Sequence, residues 1–281
     1  MGSFPIIPTG SVSSMVNDVF MELSLKGRTA LVCGSTQGIG WAIARSFARQ
    51  GANCILFARN KELLQERIAQ LEHAAGQQHD IAVADFSDAQ TLEAEVARLA
   101  KQYTIDILVN NTGGPKAGMA ADAAAADFET AFRQHLIANH VLTTALIPGM
   151  KARKFGRVIN IVSTSVRIPI DNLGVSNTIR AAVASWSKTM ANELGAYGIT
   201  VNSLLPGFID TQRLRSLISS NAVRKQLSAE KVEQEMVATI PAGRFGTPEE
   251  IANVATFLAA PAASYVNGVS IPVDGGKTGT I

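Results

Sequence analysis

The chain has 281 residues, a length that suits one large domain or two small ones at roughly 100 to 200 residues per domain. Hydrophobic residues make up 47% of it and charged residues 17%, which is typical of a globular chain with an ample core and excludes extended disorder. The 25 basic and 23 acidic residues leave a net charge of +2, too small for the basic surface of a nucleic-acid-binding protein.

Cysteines, histidines and the amino terminus limit the class of protein further. Cys33 and Cys54 lie in apolar runs, which predicts buried thiols in a reducing compartment. The two cysteines show no metal-ligand spacing with the four histidines, so no metal is expected. The first 20 residues contain no Lys or Arg, and no run of 18 apolar residues occurs, so we expect no signal peptide, no membrane span and a cytoplasmic location. Residues 1–24 are interpreted as an N-terminal extension, which is an ordered segment, a tag remnant or an upstream start.

Over residues 25–281, short apolar runs alternate with longer segments of helical periodicity. Seven strands are predicted, over residues 30–34, 53–58, 81–85, 107–111, 157–163, 200–205 and 269–273. Continuous apolar strands are typical of a sheet covered on both faces. The alternation predicts an α/β fold of the Rossmann type, a doubly wound parallel sheet of seven strands with helices on both faces. No linker divides the segment, so a single domain is predicted.

Three helices have a clear signature in the sequence. Apolar residues four apart predict a helix over residues 39–47, and a spacing of four and three predicts another over residues 64–71. Thr247 and Glu250 form a capping box with proline at the first helical position, which predicts a helix over residues 248–259.

A glycine-rich turn, Gly34-Ser35-Thr36-Gln37-Gly38-Ile39-Gly40, joins the first strand to the first helix. Glycines let the backbone approach a pyrophosphate closely and place it on the amides at the positive end of a helix. The alternative is a tight strand-to-helix turn that binds no ligand.

Five motifs occur along the chain in the order of a known family. They are G-x-x-x-G-I-G from Gly34 to Gly40, N-N-T-G from Asn110 to Gly113, P-G-x-I-x-T from Pro206 to Thr211, the segment from Gly243 to Ala252, and V-D-G-G from Val273 to Gly276. Together they resemble the short-chain dehydrogenase/reductase family across residues 25–281. Within it, the chain resembles divergent members of the 3-oxoacyl-(acyl carrier protein) reductase-like branch, which lack the full catalytic tetrad and carry an N-N-T-G-G-P turn.

The resemblance implies a nicotinamide dinucleotide as the cofactor, in a groove with four parts. The residues that it implies are Gly34, Ser35, Thr36, Gln37, Gly38, Ile39 and Gly40 at the pyrophosphate, Asp85 and Phe86 at the adenine, Asn111, Thr112 and Gly113 at the ribose, and Pro206, Gly207, Ile209 and Thr211 at the nicotinamide amide. Two positions differ from the family pattern without removing the groove, since Cys33 replaces a threonine and Thr112 replaces an alanine.

The charge at the end of the second strand distinguishes the two nicotinamide cofactors. An acidic residue there accepts hydrogen bonds from a ribose 2′-hydroxyl, whereas a guanidinium pairs with a 2′-phosphate. The chain has Ala58 at this point, followed by Arg59. This predicts NADP(H), with NAD(H) as the alternative if Arg59 is only a solvated loop residue.

The catalytic positions depart from the family pattern. The family uses a serine to orient the carbonyl, a tyrosine to transfer its proton, a lysine four residues later, and an asparagine on the preceding helix. Ser163 matches the serine, but Ser176 replaces the tyrosine and Arg180 replaces the lysine, and none of the three tyrosines of the chain lies in this part of the sequence. His135 occupies the asparagine position, with Asn139 one turn further on.

Each replacing residue has a catalytic and a structural interpretation. Arg180 can bind a ribose but cannot relay protons near neutral pH, because the pKa of arginine lies above about 12. Ser176 is far less acidic than a phenol, and serine is also a favourable N-cap for the helix that follows. His135 belongs to the residue type best suited to acid–base chemistry, but a lone histidine beside apolar residues is more often a packed or interface residue.

Three functions remain open at this point. The first is an NADP(H)-dependent reduction of a carbonyl, for example in a 3-oxoacyl thioester, in which Ser163 polarises the oxygen and the proton arrives through Ser176, His135 or water. The second is a cofactor-binding sensor, scaffold or inactive partner of a true reductase, with lost or marginal catalysis. The third is a lyase or epimerase that consumes no net cofactor.

The segment over residues 212–239 lies where the resembled family carries its substrate lid. Its basic residues could attract an acidic small molecule or an acyl thioester of phosphopantetheine, and the alternative is two solvated amphipathic helices. The basic residues in question are Arg213, Arg215, Arg224 and Lys225.

The apolar segments over residues 125–150 and 176–196 predict a face that is buried between subunits. A homotetramer resembles the family habit, and a dimer is the alternative.

Overall fold

The computed structural model describes residues 22–74 and 76–280, so most of the proposed N-terminal extension lies outside the described residues. The strands are β1 (Thr29–Cys33), β2 (Asn53–Ala58), β3 (Asp80–Val83), β4 (Ile107–Asn110), β5 (Gly156–Ile161), β6 (Ile199–Pro206) and β7 (Ser270–Val273). They form one parallel sheet in the order β3-β2-β1-β4-β5-β6-β7. The predicted sheet of Rossmann type is therefore confirmed.

Helices connect successive strands and cover both faces of the sheet. They are α1 (Gly38–Arg49), α2 (Lys61–Ile68), α3 (Ala89–Gln102), α4 (Ala125–Phe132), α5 (Ala138–Arg153), α6 (Gly174–Leu194), α7 (Gln212–Lys225), α8 (Ala229–Ala238) and α9 (Pro248–Ala259). A π-helical segment, Arg133–Ile137, lies between α4 and α5. None of the helices in the described ranges is long and apolar enough to span a membrane.

The alternating faces of each strand enter two separate cores. On one face, strand residues such as Val32 and Leu56 pack with α1 and α9, which lie against each other. On the other face, Leu31, Ile55 and Leu108 pack with α3, α5 and α6. Every central strand is buried on both sides, which explains the continuous apolar runs in the sequence.

The helix signatures are confirmed with one change of boundary. In α9, the Thr247 hydroxyl accepts a hydrogen bond from the Glu250 amide at 3.3 Å, and the Glu250 carboxylate accepts one from the Thr247 amide at 2.8 Å. The helix predicted over residues 64–71 instead spans Lys61–Ile68, because Asn60 caps its first turn. Leu71 lies beyond the helix and is still buried in the core.

Several strands end earlier than the sequence predicts. β3 ends at Val83, β4 at Asn110 and β5 at Ile161. Asp85, Asn111 and Ser163 therefore lie in loops just past the carboxyl ends of the strands, where parallel α/β sheets bind their ligands.

Candidate functional site

The site lies at the carboxyl edge of the sheet, around neighbouring strands β1, β4, β5 and β6. The two halves of the sheet meet between the neighbouring strands β1 and β4, because the chain returns from the edge strand β3 to β4. The loops that leave the sheet at such a point diverge and leave a crevice. The glycine-rich turn leaves β1 and the N-N-T-G turn leaves β4, so the fold brings these two motifs to the same crevice.

The glycine-rich turn is too tight for side chains. Gly34 has a φ of +60°, and a Cβ atom there would lie 2.6 Å from the carbonyl oxygen of Asn111. A Cβ on Gly40 would lie 2.2 Å from the Gly34 carbonyl oxygen. A Cβ on Gly38, where φ is +56°, would lie 3.3 Å from a methyl group of Thr211. The turn is therefore closed around its own backbone and faces the P-G-x-I-x-T loop that follows β6.

The amino end of α1 has the properties of an anion site. Its N-cap, Gln37, makes no side-chain hydrogen bond to the first turn, and no acidic residue lies in that turn. The leading amides of this 12-residue helix are thus left for an outside acceptor. Crowded glycines and uncapped amides together fit a bound pyrophosphate.

Two predicted groove residues also serve the framework around the turn. The Ser35 hydroxyl is fully buried and accepts a hydrogen bond from the Phe57 amide at 2.9 Å, which ties the turn to β2. The Asn111 amide group donates to the carbonyl oxygens of Cys33 and Gly34 at 3.2 and 3.3 Å, which ties the turn to β4.

The proposed adenine end carries both signs of charge. Phe86 packs edge-on against Phe57, with ring centroids 5.1 Å apart. The side chain of Arg59 is 73% exposed, and its guanidinium lies 3.5 Å from the carboxylate of Asp85. Hydrogen bonds from Ser87, with help from the Arg59 charge, lower the pKa of Asp85. If Arg59 turned toward a phosphate, it would break only a weak, solvated ion pair with Asp85.

Arg67 is a basic residue of this region that the sequence did not single out. From α2 it donates a hydrogen bond to the carbonyl oxygen of Thr36 at 2.9 Å, and its guanidinium lies 5.3 Å from the centre of the Trp41 ring. It braces the glycine-rich turn from outside. No local pattern could have revealed it, since the contact joins residues 31 positions apart.

Ser163 follows β5 and begins a short 3-10 turn. Its hydroxyl accepts a hydrogen bond from the Ser165 amide at 3.1 Å, which fixes the side chain at the edge of the sheet. It retains the capacity to donate its own proton to a carbonyl oxygen.

Ser176 lies inside α6, and the expectation that it caps this helix is wrong. The N-cap is Leu173, which makes no side-chain cap. The helix begins at Gly174 because residues 172–174 pair with Gly118, whose carbonyl oxygen accepts a hydrogen bond from the Gly174 amide at 2.9 Å. Ser176 is only 7% exposed.

His135 is buried in the π-helical segment and contacts the N-N-T-G turn. Its Nδ1 lies 2.5 Å from the hydroxyl of Thr112, while its Nε2 is buried without a partner among the described residues. Burial, together with the positive charges of Arg180 and Arg213, lowers the pKa of His135 to about 2. The imidazole is therefore neutral at physiological pH.

Arg180 extends from α6 to the ends of β4 and β5. Its guanidinium donates to the carbonyl oxygen of Ile161 at 2.8 Å and to that of Thr112 at 3.4 Å. Burial lowers its pKa to about 10, and the charge of Arg213 adds to this effect. Two of its five donors are thus used, and the group stays cationic below pH 9.

Arg213, at the start of α7, is the second cation near His135. It donates to the carbonyl oxygen of Pro115, and its guanidinium lies against Gly114, where a Cβ would be 3.3 Å from Nη2. The first lid helix is thereby fastened to the N-N-T-G-G-P turn. The sequence placed Arg213 in the lid, but its inward direction follows only from the fold.

A cavity of about 460 Å³ opens beside the site, within the roughly 300–1,000 Å³ usual for small-molecule pockets. Its walls are the segment after β5, beginning at Thr164, and the helices α7 and α8. The carboxyl-terminal residues Lys277 and Thr278 close its side.

Comparison with known proteins gives a consistent result. The sequence profile described as Enoyl-(Acyl carrier protein) reductase matches residues 34–278. The chain is 33% identical over 256 residues to 3-oxoacyl-(acyl-carrier-protein) reductase FabG of Chlamydia trachomatis, covering 90% of this chain and 98% of that protein. It is 34% identical over 256 residues to oxidoreductase UcpA of Escherichia coli, covering 90% and 95% of the two chains.

Solved structures with the same fold include that of L-sorbose reductase from Gluconobacter frateurii, complexed with NADPH and L-sorbose. That chain is similar with a TM-score of 0.86 and 30% identity, over 93% of this chain and 100% of that one. The structure of YwfH, an NADPH-dependent reductase involved in bacilysin biosynthesis, gives a TM-score of 0.83 and 32% identity, over 90% and 99% of the two chains.

Proposed function

Because the chain belongs to the short-chain dehydrogenase/reductase family of oxidoreductases, we propose that it reduces a carbonyl group to an alcohol with NADPH. The observation that carries the proposal is the crowded glycine-rich turn at the uncapped amino end of α1, which suits a dinucleotide pyrophosphate. A 3-oxoacyl thioester is one candidate substrate, since the relative from Chlamydia trachomatis is named for that reaction.

The preference for NADP(H) over NAD(H) rests on Arg59. Its exposed guanidinium follows β2, and the last residue of that strand is Ala58 instead of an acidic residue that would repel a 2′-phosphate. Asp85 competes for it from 3.5 Å away, but a bidentate contact with a dianionic phosphate is stronger than a solvated ion pair. Two of the similar solved structures support the same preference. YwfH is an NADPH-dependent reductase, and L-sorbose reductase was solved in complex with NADPH.

The reduction needs a hydride and a proton, and the nicotinamide, when bound, supplies the hydride. Ser163 would donate a hydrogen bond to the carbonyl oxygen and orient it. Arg180 would hold the ribose with its remaining donors and favour the negative charge that develops on the oxygen. Neither residue releases a proton near neutral pH, so their task is positioning and electrostatic stabilisation.

The proton must then come from elsewhere, and we propose a route through Thr112 and His135. A neutral imidazole accepts a proton at one ring nitrogen and releases one from the other, so it passes protons without becoming charged. In this route the Thr112 hydroxyl would give its proton to the alkoxide and recover one from Nδ1 of His135. Nε2, which is buried without a partner among the described residues, would in turn take up a proton from a water molecule. Ser176 and water are the alternatives for the final transfer to the alkoxide.

A second candidate function is cofactor binding with lost or marginal catalysis, as in a sensor, a scaffold or the inactive partner of a reductase. It is favoured by the replacement of the expected tyrosine by Ser176 and by the low pKa of His135, since neither residue is an acid that titrates near neutral pH. General acid catalysis contributes about 10² to 10⁴ in rate, so its loss slows turnover without affecting cofactor affinity.

The test follows NADPH absorbance during incubation with ketones, quinones and 3-oxoacyl thioesters, while product formation is followed separately. We expect NADPH consumption with at least one carbonyl compound. Inertness across the panel, together with tight NADPH binding, would instead support the non-catalytic function. Substrate conversion with no net NADPH consumption would indicate a lyase or epimerase.

A paired substitution tests whether only the proton donor is missing. The double change Ser176→Tyr with Arg180→Lys should raise ketone reduction by about 10² to 10⁴. The matched control is Ser176→Phe with Arg180→Lys, which fills the same space without a phenolic hydroxyl. An equal rise in both variants would contradict the role assigned to the donor.

We also propose that the protein forms a homotetramer, with a dimer as the alternative. A surface cavity of about 430 Å³ at α4, the π-helical segment and α6 is lined by four apolar and two charged residues, Phe128, Phe132, Ile137 and Ile179 with Glu129 and Arg133. Phe132 is 41% exposed there. Exposed aromatic residues around a surface depression are typical of a protein interface.

A further inference from the structure

The cavity beside Ser163 has an apolar interior. Ile168, Phe208, Leu217 and Met236 contribute to its lining, from the segment after β5, the loop after β6 and the two lid helices. Thr164, the residue after Ser163, lies on its wall, so the cavity is adjacent to Ser163 in the chain. An apolar substrate body would fill it and exclude water from the carbonyl.

Charged groups at the walls are unevenly neutralised. Lys225 and Glu235 satisfy each other through an ion pair of 2.7 Å between α7 and α8. Lys277 donates to the hydroxyl of Thr239 at 2.9 Å, and its ammonium lies 4.9 Å from the centre of the Phe208 ring. Within residues 22–74 and 76–280, neither Lys277 nor Arg224 forms an ion pair with an acidic side chain.

The remaining acid of the cavity is Asp171, which belongs to the segment after β5. Arg224 lies in the last turn of α7, and Lys277 belongs to the carboxyl-terminal segment. With the pair of Lys225 and Glu235 included, the lining carries three basic and two acidic side chains, an excess of one positive charge.

The fold also separates the basic residues of the lid, which look equivalent in the sequence. Arg215 is engaged outside the cavity by Asp210 at 2.9 Å and Glu233 at 2.8 Å. Arg213 is fastened to the Pro115 carbonyl. Arg224 is the lid arginine that lines the cavity, and Lys277, which lies outside the lid sequence, joins it.

We propose that the cavity selects substrates with an apolar body that ends in an anionic group, held by Arg224 and Lys277 while the carbonyl lies at Ser163. The inference rests on the proposed function, since it describes the substrate of the same site. A carboxylate and a phosphate share the required chemistry. An ammonium group at the same end of the substrate would be repelled. A neutral end would leave Arg224 and Lys277 without an anionic partner.

Direct binding tests this inference without any need for turnover. The probes are octanoate, octyl phosphate and octanol, titrated calorimetrically into the full chain. We expect both anions to bind about tenfold or more tightly than octanol, the effect of a charged hydrogen bond. The stronger of the two anions identifies the carboxylate or the phosphate as the preferred group. Equal affinity for octanol and the anions would overturn the proposal.

Substitutions locate the binding groups. Arg224→Gln with Lys277→Gln should weaken octanoate binding about tenfold or more and leave octanol binding unchanged. The matched control is Lys231→Gln, which removes an exposed charge of α8 that does not line the cavity. Unchanged octanoate affinity in the double variant would overturn the assignment.

A third variant guards against simple misfolding. Asp171→Asn removes the acidic side chain of the lining that is not in the ion pair with Lys225 and should tighten octanoate binding several-fold, a change that a damaged fold does not produce. Weaker binding in this variant would count against the proposed binding of an anion in the cavity. If octanoate binds as expected but no carbonyl compound is reduced, the subsite stands and the proposed reduction fails, so the two outcomes are distinguishable.

Discussion

At the scale of single residues, two of the three replaced catalytic positions, His135 and Arg180, are connected through Thr112. Arg180 donates to the Thr112 carbonyl oxygen, and the Thr112 hydroxyl contacts His135. Two residues that break the family pattern therefore meet at a third, which replaces the usual alanine of the turn. A cation that cannot deprotonate and an imidazole that cannot become charged are compatible in one buried site, whereas two protonated groups there would repel each other.

The buried state of His135 predicts a dependence of stability on pH. Its pKa is about 2 in the folded protein and about 6.5 in an unfolded chain, so below pH 6.5 the unfolded state binds a proton that the folded state does not. The free energy of unfolding should fall by up to about 1.4 kcal/mol per pH unit between pH 6 and pH 4 on this account. Urea unfolding of the wild type and His135→Asn at each pH measures the difference.

The control for that measurement is His140→Asn, which removes an exposed histidine one turn away. It should keep the pH dependence of the wild type, while His135→Asn should flatten it. If all three proteins lose stability in parallel, His135 titrates normally and the route proposed through its neutral ring fails.

At the scale of elements, the turn between β1 and α1 is the most constrained part of the site. Its glycines are required because backbone segments approach each other closely. A Cβ atom on Gly40 would overlap the Gly34 carbonyl, and one on Gly34 would overlap Asn111. Arg67 holds the same turn from α2, and the Phe57 amide holds it from β2 by donating to the Ser35 hydroxyl. The turn is thus fixed before any ligand arrives, and preorganisation of this kind reduces the entropy lost on binding.

A pair of glycine substitutions tests that constraint. Gly40→Ala should cost about 1–3 kcal/mol of stability or more and abolish NADPH binding, because the new methyl group would overlap backbone. Gly149→Ala, in α5 where no atom lies within 4 Å of the new Cβ, should instead stabilise by about 0.5–1 kcal/mol. Thermal unfolding and NADPH titration measure both. Normal cofactor binding by Gly40→Ala would show that the turn relaxes readily.

At the scale of the whole molecule, a surface depression is formed by residues of α4, the π-helical segment and α6. Phe132 is exposed there beside Phe128 and Ile179, while α7 and α8 are joined to each other by ion pairs. An assembly that buries the first surface leaves the lid and its cavity open to substrate.

The subunit arrangement is tested with Phe132→Arg, which places an unpaired charge on the proposed interface. Analytical ultracentrifugation should show the wild type as a tetramer or a dimer and the variant as a smaller species. Val223→Arg is the matched control, since Val223 is 81% exposed on α7, away from this surface. A wild-type chain that sediments as a monomer at micromolar concentration would contradict the proposed assembly.

The sequence alone predicted the strand count, the parallel α/β fold and the glycine-rich turn. The information for them is local: apolar runs specify buried strands, and glycine at set intervals specifies a tight turn. The departures from the catalytic pattern that the sequence shows, at His135, Ser176 and Arg180, stay predictions. The predicted start of α6 at Ser176 was wrong. The helix begins at Gly174, because residues 172–174 pair with Gly118, and this contact joins segments that are distant in the chain.

Only the tertiary structure decided what the unusual residues contact. His135 could be a packed, interface or catalytic residue in the sequence, and its contact with Thr112 follows from the way the π-helical segment turns it toward the end of β4. Arg213, Arg215 and Arg224 belong to one helix but lie against a loop, an acidic pair and the cavity, respectively. Burial and charge neutralisation depend on all the elements that surround a side chain, so the order of residues along the chain does not determine them.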